Sequence, residues 1–458
     1  MPVRKFMHNF QRSRHLLLAT LIALVVTAAP AVGRGSDQSA VQTYIVVLAD
    51  SAGDPGKVAR DHTRRHGARV RHVYRHALKG YAAALSPNRL AELRADPRVE
   101  FVSEEAEFRR VDTCPLDTRS GFPQQCIPPG VDRVEADLSG AAAGDGSGSV
   151  DLNVAVVDDG IDLEHPDLNV VGGVNCSTGK GFDAVDYHGT FVAGIIGAKD
   201  NAFGVVGVAP GARLWAIRVF SQSVTTGESS LLCGIDFITS TRTDVDPTND
   251  IPVANLSLLG KGSDDGACGG KHSAVHRAIC RSVALGVTYV VAAGNDGRDF
   301  ATSIPASYDE VLTSTAIGDF DGRPGAHSRA ICPSESGDDG RAAFSNFAVS
   351  EEDRAHAFAS PGACVVSTFP VGFFLPEFDT AYGISSGTSF SAPHLTGIVA
   401  LCIANGACAG LTPAEIAAKL RHDAEARTQG DPDFGVYGEP IDPEEGRFFG
   451  YLVSAEDY

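Results

Sequence analysis

Four short stretches carry side chains able to move protons or attack a carbonyl. VVDDGID (156–162) ends an apolar run on two adjacent carboxylates, Asp158 and Asp159, and HGTFVAG (188–194) opens a small-residue stretch on His188. AAGND (292–296) puts Asn295 after a Val-rich run, and GTSFSAPH (387–394) sets Ser389 where a helix would begin. Taken singly, each is ordinary. The acids suit a solvated turn, a cation site of the form D-D-G-x-D, or one member of a catalytic set. A lone His is usually structural, a strand-end Asn is usually a turn residue, and a Ser at a helix start is usually an N-cap. Chemistry requires that they meet. A serine hydroxyl becomes a nucleophile when a base lies within hydrogen-bond reach and an acid orients that base, and a side-chain amide can then hold the oxyanion. The residue types fit that combination, in the chain order Asp158, His188, Asn295, Ser389.

The elements that must position them read as a parallel α/β sheet. From about residue 112, apolar runs such as NVAVVD, ARLWAIRVF, VANLSLL, VTYVVAAGN and VLTSTAIG alternate with helical stretches. Continuous apolar strands of this kind are covered on both faces, and sites in such sheets gather beyond the carboxyl ends of the strands. Asp158 and Asn295 both follow a Val-rich run. Upstream, TYIVVL (43–48), KGYAAAL (79–85) and RVEFVSEE (98–105) read as strands, and GKVARDHTRRHG (56–67) and SPNRLAELRAD (86–96) as helices. That order predicts a small α+β unit of the β-α-β-β-α-β, ferredoxin-like kind.

The first residues read differently again. MPVRKFMHNFQRSRH is basic, LLLATLIALVV is apolar and TAAPAVG is small. This is the order of a secretory signal peptide, here 1–31, with an apolar run too short to span a bilayer. The expectation is a secreted, soluble monomer with no membrane contact after signal removal. All 10 cysteines lie from Cys114 onward, and in an exported chain they read as disulfides. Short spacings suggest Cys114–Cys126, Cys268–Cys280 and Cys402–Cys408. Residues 1–111 carry 18 basic against 10 acidic side chains, and the rest 20 against 47. The acidic balance argues against nucleic acid as a partner, and opposite charge favours association of the two pieces with each other.

Together the four motifs resemble those of the subtilisin-like serine proteases, the subtilases. The family pattern around the nucleophile is G-T-S-M-A-x-P-H; here it is Gly387, Thr388, Ser389, Phe390, Ser391, Ala392, Pro393, His394. The resemblance covers 43–458, because residues 36–111 resemble the family's inhibitor-type prosegment and 112–458 its catalytic domain. It implies a three-layer α/β fold and a secreted endopeptidase made as a self-processing zymogen. Ser389 would be the nucleophile, His188 the general base, Asp158 the acid orienting it, and Asn295 the oxyanion donor. Ser257, Leu258, Leu259 and Gly260 resemble one wall of the S1 pocket, and Ala292, Ala293 and Gly294 the other. TGESSLLCG (226–234), with Ser229, resembles the segment that pairs with substrate backbone. The implied partners are protein or peptide substrates and the chain's own prosegment; the chemistry needs no cofactor, and structural calcium is a family trait.

Departures shape the expectation. Asp159 stands where most relatives carry Thr or Ser and resembles the kexin branch, yet no acid lines the S1 segments, which favours broad or apolar P1 cleavage over a kexin-like specificity. Leu259 replaces a usual glycine and should narrow S1. AFASPG (357–362) has Ala357 where Asp is common, so one family calcium site is expected to be absent or rebuilt. The loop 318–340 is long and acidic, and its D-x-D-G is cation-like but reads rather as a solvated turn. Phe390 replaces a common methionine, and Met1 and Met7 are the only two methionines, so the mature enzyme should resist peroxide. His62, His66, His72 and His76 are candidates for a pH-dependent grip of the prosegment. The reading outside catalysis is an inactive binding protein on the same fold.

Overall fold

The computed structural model describes residues 42–110, 113–116, 125–266, 268, 273–326, 328–330, 332, 336–372, 381–436 and 446–458, with backbone alone for 107–110 and 113–116. The signal segment and the Cys114 side chain lie outside the described residues.

The upstream unit consists of β1 (Gln42–Leu48), α1 (Pro55–His66), β2 (Arg69–Tyr74), β3 (Gly80–Leu85), α2 (Leu90–Arg94) and β4 (Val99–Glu104). Its sheet has the order β2-β3-β1-β4, antiparallel throughout. α1 starts at Asp54, whose carboxylate accepts from Lys57 N, and stops at Gly67 with φ 71°, a left-handed cap that glycine adopts without cost. β2 was not among the expected strands. Its sequence, RVRHVY, breaks alternation at Arg71-His72, where the pairing has a bulge, and lies on a half-exposed edge, a weak signal in a basic stretch. The expected helix at 86–96 is a 3₁₀ turn followed by the short α2.

The chain then lays down β5 (Glu107–Arg110) and β6 (Thr113–Leu116), followed by α3 (Pro129–Arg133), β7 (Asn153–Asp158), β8 (Val170–Asn175), α4 (His188–Gly197), β9 (Arg213–Arg218) and β10 (Thr225–Gly227). Next come α5 (Glu228–Thr241), β11 (Val253–Leu256), β12 (Leu258–Lys261), α6 (Ala274–Val283), β13 (Thr288–Ala292), β14 (Ser303–Ile304) and β15 (Leu312–Gly318). The last elements are α7 (Glu351–Ala355), β16 (Ala357–Ala363), β17 (Val365–Thr368), β18 (Tyr382–Ser386), α8 (Thr388–Ala404), α9 (Pro413–Gly430) and β19 (Tyr451–Leu452). Eight strands form one parallel sheet in the order β19-β16-β15-β13-β11-β7-β9-β8. After β9 the chain crosses to the other side of β7 to place β11, so the strand order reverses at β7. Ligands bind at such a switch point, outside the carboxyl ends of the strands.

Strand alternation divides the interior in two. Val154 and Val156 of β7 face one core with α4 and α8, while Ala155 and Val157 face another with α5 and α6. The second core continues into the upstream unit through Ile45, Val47 and Ala82, while Tyr44, Val46 and Tyr81 fill that unit's own core. One small sheet therefore has two buried faces, one against its own helices and one against α5 and α6. Among the described residues four disulfides are present: Cys176–Cys233, Cys268–Cys280, Cys332–Cys364 and Cys402–Cys408. Two of these are the expected close pairs.

The loop 318–340 departs from the solvated turn expected of it. Asp319, Asp338 and Asp339 are buried, because the fully buried guanidinium of Arg133 reaches Asp339 at 2.6 Å and Asp319 at 3.1 Å. A buried charge is tolerable only when paired and hydrogen-bonded, and Arg133 supplies the pairing from a helix that local sequence does not connect to the loop.

Candidate active site

Asp158 is the last residue of β7 and His188 the first of α4. His188 Nδ1 lies 2.9 Å from Asp158 Oδ1 and 2.8 Å from Oδ2, and both side chains are fully buried. Asp159 points elsewhere: its Oδ1 accepts from Gly189 N at 2.9 Å. The neighbouring acid thus anchors the N-terminus of the helix that carries His188, where amides lack intrahelical partners and a negative charge is favoured. Sequence alone placed one acid on the imidazole and left the other unexplained; the role needs the fold to bring residue 189 beside the strand end.

Ser389 is the second residue of α8, and the Phe390 ring after it lies tilted against His188 with ring centroids 5.3 Å apart. Pro393 lies inside α8. Having no N–H, it leaves the Ser389 carbonyl without its helical donor, and Ser257 Oγ donates to that carbonyl at 2.6 Å. Ser389 Oγ in turn donates to Ser257 O at 3.3 Å. Asn255 supports the link, donating to Ser257 Oγ at 2.8 Å and accepting from Thr396 of α8 at 3.0 Å. The proline therefore ties the serine to the strand beside it.

Asn295 follows β13. Its Oδ1 accepts from Thr388 N and Thr388 Oγ1, both at 2.9 Å. That fixes the amide orientation and turns Nδ2 the other way; Nδ2 is buried and meets no acceptor among the described residues. A buried donor without a partner is costly unless something else, such as developing negative charge, takes it up. The two expected pocket walls also come together. Gly294 has φ 111°, and a Cβ there would crowd Leu259 Cδ2 at 2.9 Å, so the Leu259 side chain lies close to Gly294.

Between β10 and β12 runs β5, antiparallel to both. Thr225 pairs with Arg109, Thr226 with Phe108 and Gly227 with Glu107; Leu258 pairs with Arg110, Leu259 with Arg109 and Gly260 with Phe108. A segment from upstream thus adds a strand across the pocket walls, the backbone mode of peptide recognition. Of the expected pairing segment 226–234, only 226 and 227 lie in a strand, β10. Ser229 lies in the first turn of α5, where its N–H and hydroxyl both donate to Glu105 Oε1.

The same face holds the upstream unit with carboxylates. Glu228 Oε2 accepts from Ala106 N at 3.0 Å, and Asp236 accepts from the backbone N–H groups of Arg75, His76 and Ala77. Burial pushes the Glu228 carboxyl up to about 7. Arg277 pairs with Glu100 at 2.7 Å and Arg281 with Asp50 at 2.8 Å. Of the four histidines, His62 and His66 pair within the upstream unit, with Asp96 and Glu92. His76 reaches Thr243 of the larger region, and the Glu105 charge acts on His72.

For a cation, Asp319, Asp321 and Asp338 offer oxygens within 4.8 Å of one another. Asp319 is already paired with Arg133, and both Asp338 oxygens accept from backbone N–H groups, of Phe320 and Ser328. These donors are committed to protein partners, and no ion is assigned to them.

The subtilase family model matches residues 150–438, and the peptidase inhibitor I9 model matches 43–110. The chain belongs to the subtilase family. Subtilisin E of Bacillus subtilis is 29% identical over 403 residues, covering 86% of this chain and 89% of the relative. Subtilisin DY of Bacillus licheniformis is 31% identical over 283 residues, 61% and 85% of the two chains. M-protease of Shouchella clausii is 31% identical over 318 residues, 69% and 67%. This subtilase is accordingly a serine endopeptidase carrying an I9-type prosegment, an arrangement consistent with a zymogen, and its catalysis needs no cofactor. No helix among the described residues is long and apolar enough to cross a membrane.

Proposed function

We propose that this subtilase is an exported zymogen in which Ser389, His188 and Asp158 hydrolyse peptide bonds through an acyl-enzyme. The observation that carries the reading is His188 Nδ1 held by both Asp158 oxygens at the mouth of a cleft already filled by a strand. Ser389 Oγ attacks the substrate carbonyl while His188 Nε2 takes its proton; the imidazolium, stabilised by Asp158, then protonates the leaving amine. Water repeats the sequence on the ester. The Asn295 amide and the Ser389 N–H hold the oxyanion in both steps.

The strand register supports a specific maturation bond. Arg110, the last residue of β5, pairs with Leu258, the residue after Ser257, which is bonded to Ser389. The cleaved bond is then Val111–Asp112, with prosegment 36–111 and catalytic domain 112–458. Val111 at P1 agrees with walls built from Leu258, Leu259, Gly260, Ala292, Ala293 and Gly294, none of them acidic. The prosegment is an intramolecular inhibitor before cleavage and stays bound afterwards as a separate chain, through β5 and the carboxylates of Glu228 and Asp236.

The full chain should cleave itself, hydrolyse casein and react with a fluorophosphonate, and Ser389→Ala should do none of these. The mature N-terminus should be Asp112. A mature chain beginning at Val111, after the Arg109-Arg110 pair, would favour the kexin-like reading; labelling without casein hydrolysis would point away from peptide substrates.

A further inference from the structure

The segment carrying Asn295 crosses from β13 to the surface with no regular structure of its own, yet an oxyanion donor must be held to within a few tenths of an ångström. One distant side chain spans it. Asn346 is fully buried. Its Nδ2 donates to Ala293 O at 2.9 Å, its Oδ1 accepts from Asp296 N at 3.0 Å and Arg298 N at 3.1 Å, and its own N–H donates to Gly294 O at 2.9 Å. Four hydrogen bonds from one residue therefore bracket Asn295 on both sides in sequence.

The clamp is itself fixed. Ser345 Oγ accepts from Ala316 N of β15 at 2.9 Å and donates to Asn346 O at 2.8 Å, and Phe347 N donates to Arg298 O at 3.0 Å. Close contact completes it, since a Cβ at Gly294 would collide with Asn346 Nδ2. The pattern requires a primary amide, one oxygen accepting twice and one nitrogen donating. Aspartate keeps the acceptors, but it loses the donor and sets a charge against the Ala293 carbonyl; serine is too short to reach all three groups.

We infer that Asn346 is a positioning residue for catalysis, holding residues 293–298 so that Asn295 Nδ2 meets the oxyanion. The inference rests on the proposed oxyanion role of Asn295 and goes beyond it by naming what aims that donor. Asn346 does not touch substrate, so its effect must pass through Asn295.

A double-mutant cycle tests this, with kcat and KM measured on a peptide p-nitroanilide using processed enzyme of checked melting temperature. Asn295→Ala should lower kcat about 100-fold or more. Asn346→Ala should lower kcat about tenfold with KM changed less than about threefold, and in the Asn295→Ala background its further effect should shrink to less than about twofold. Where Asn346→Ala does not fold, Asn346→Asp serves in the same cycle with the same outcomes, since it keeps the side-chain volume. An undiminished tenfold loss in the Asn295→Ala background, or a loss confined to KM or to melting temperature, overturns the role of Asn346. A wild-type kcat for Asn295→Ala instead overturns the oxyanion reading of Asn295 itself.

Discussion

Two histidines of the larger region, His188 and His276, are buried against carboxylates, and their surroundings differ in one respect that decides what each can do. His276 has a carboxylate on each ring nitrogen, Asp265 on Nδ1 and Glu310 on Nε2 at 2.9 Å, and it stacks on Tyr308 at 4.1 Å. Burial alone would lower its pKa, but the hydrogen bonds to Glu310 and Asp265 hold it up to about 9. It is a permanent imidazolium at neutral pH, tying the loop after β12 to α6 beside the Cys268–Cys280 disulfide. His188 has its carboxylate on Nδ1, and the proposed mechanism assigns Nε2 to Ser389. A base must gain and lose a proton in each turnover. A ring committed to acids at both nitrogens can only hold its proton, so a carboxylate beside a buried histidine does not by itself make a base.

The largest effect should come from Asp158→Asn, which leaves the fold intact and lowers kcat about 10⁴-fold through the wrong imidazole tautomer. A loss below about tenfold would remove the contrast with His276. Asp159→Ser should be much milder, about tenfold or less in kcat, because serine still offers an oxygen to Gly189 N; a larger loss than Asp158→Asn would reverse the assignment of the two acids. His276→Gln should leave kcat at pH 7 within about twofold and change stability instead. The folded pKa near 9 exceeds the unfolded value of about 6.5. The stability it adds is therefore complete below about pH 6.5 and lost as pH rises through about 9. Melting temperatures at pH 6 and pH 10 should differ more in the wild type than in the variant, and equal differences would remove His276 from the account.

The smallest effect concerns the prosegment. Glu228 has its pKa raised to about 7 with the prosegment seated, and exposure on release returns it toward the usual carboxylate range. The complex thus holds the extra proton, and affinity should fall a few-fold as pH rises from 5.5 to 8. Glu228→Gln should flatten that dependence; a slope unchanged in the variant would remove Glu228 from the account.

Some features were legible because they are local. The motifs around Asp158, His188, Asn295 and Ser389 are each a few residues long, and the close spacing of Cys402 and Cys408 suggested a pair because closing a short loop costs little. Asn346 gave no signal, since its partners are about 50 residues away in sequence. Cys176–Cys233 and Cys332–Cys364, 57 and 32 residues apart, were equally hidden. The loop 318–340 was misread because burial of its acids depends on Arg133, far upstream.

Chain order, residue type and apolar periodicity alone determined the fold class, the two-part organisation and the identity of the four candidate catalytic residues. All of these depend on backbone preference and side-chain chemistry that each segment carries with it. Only the tertiary structure decided that Asp159 anchors the N-terminus of α4, that Pro393 frees a carbonyl for Ser257, and that Asn346 clamps the segment bearing Asn295. Each of these is a hydrogen bond between groups far apart in sequence. Its geometry exists only after the sheet has brought the carboxyl ends of its strands together.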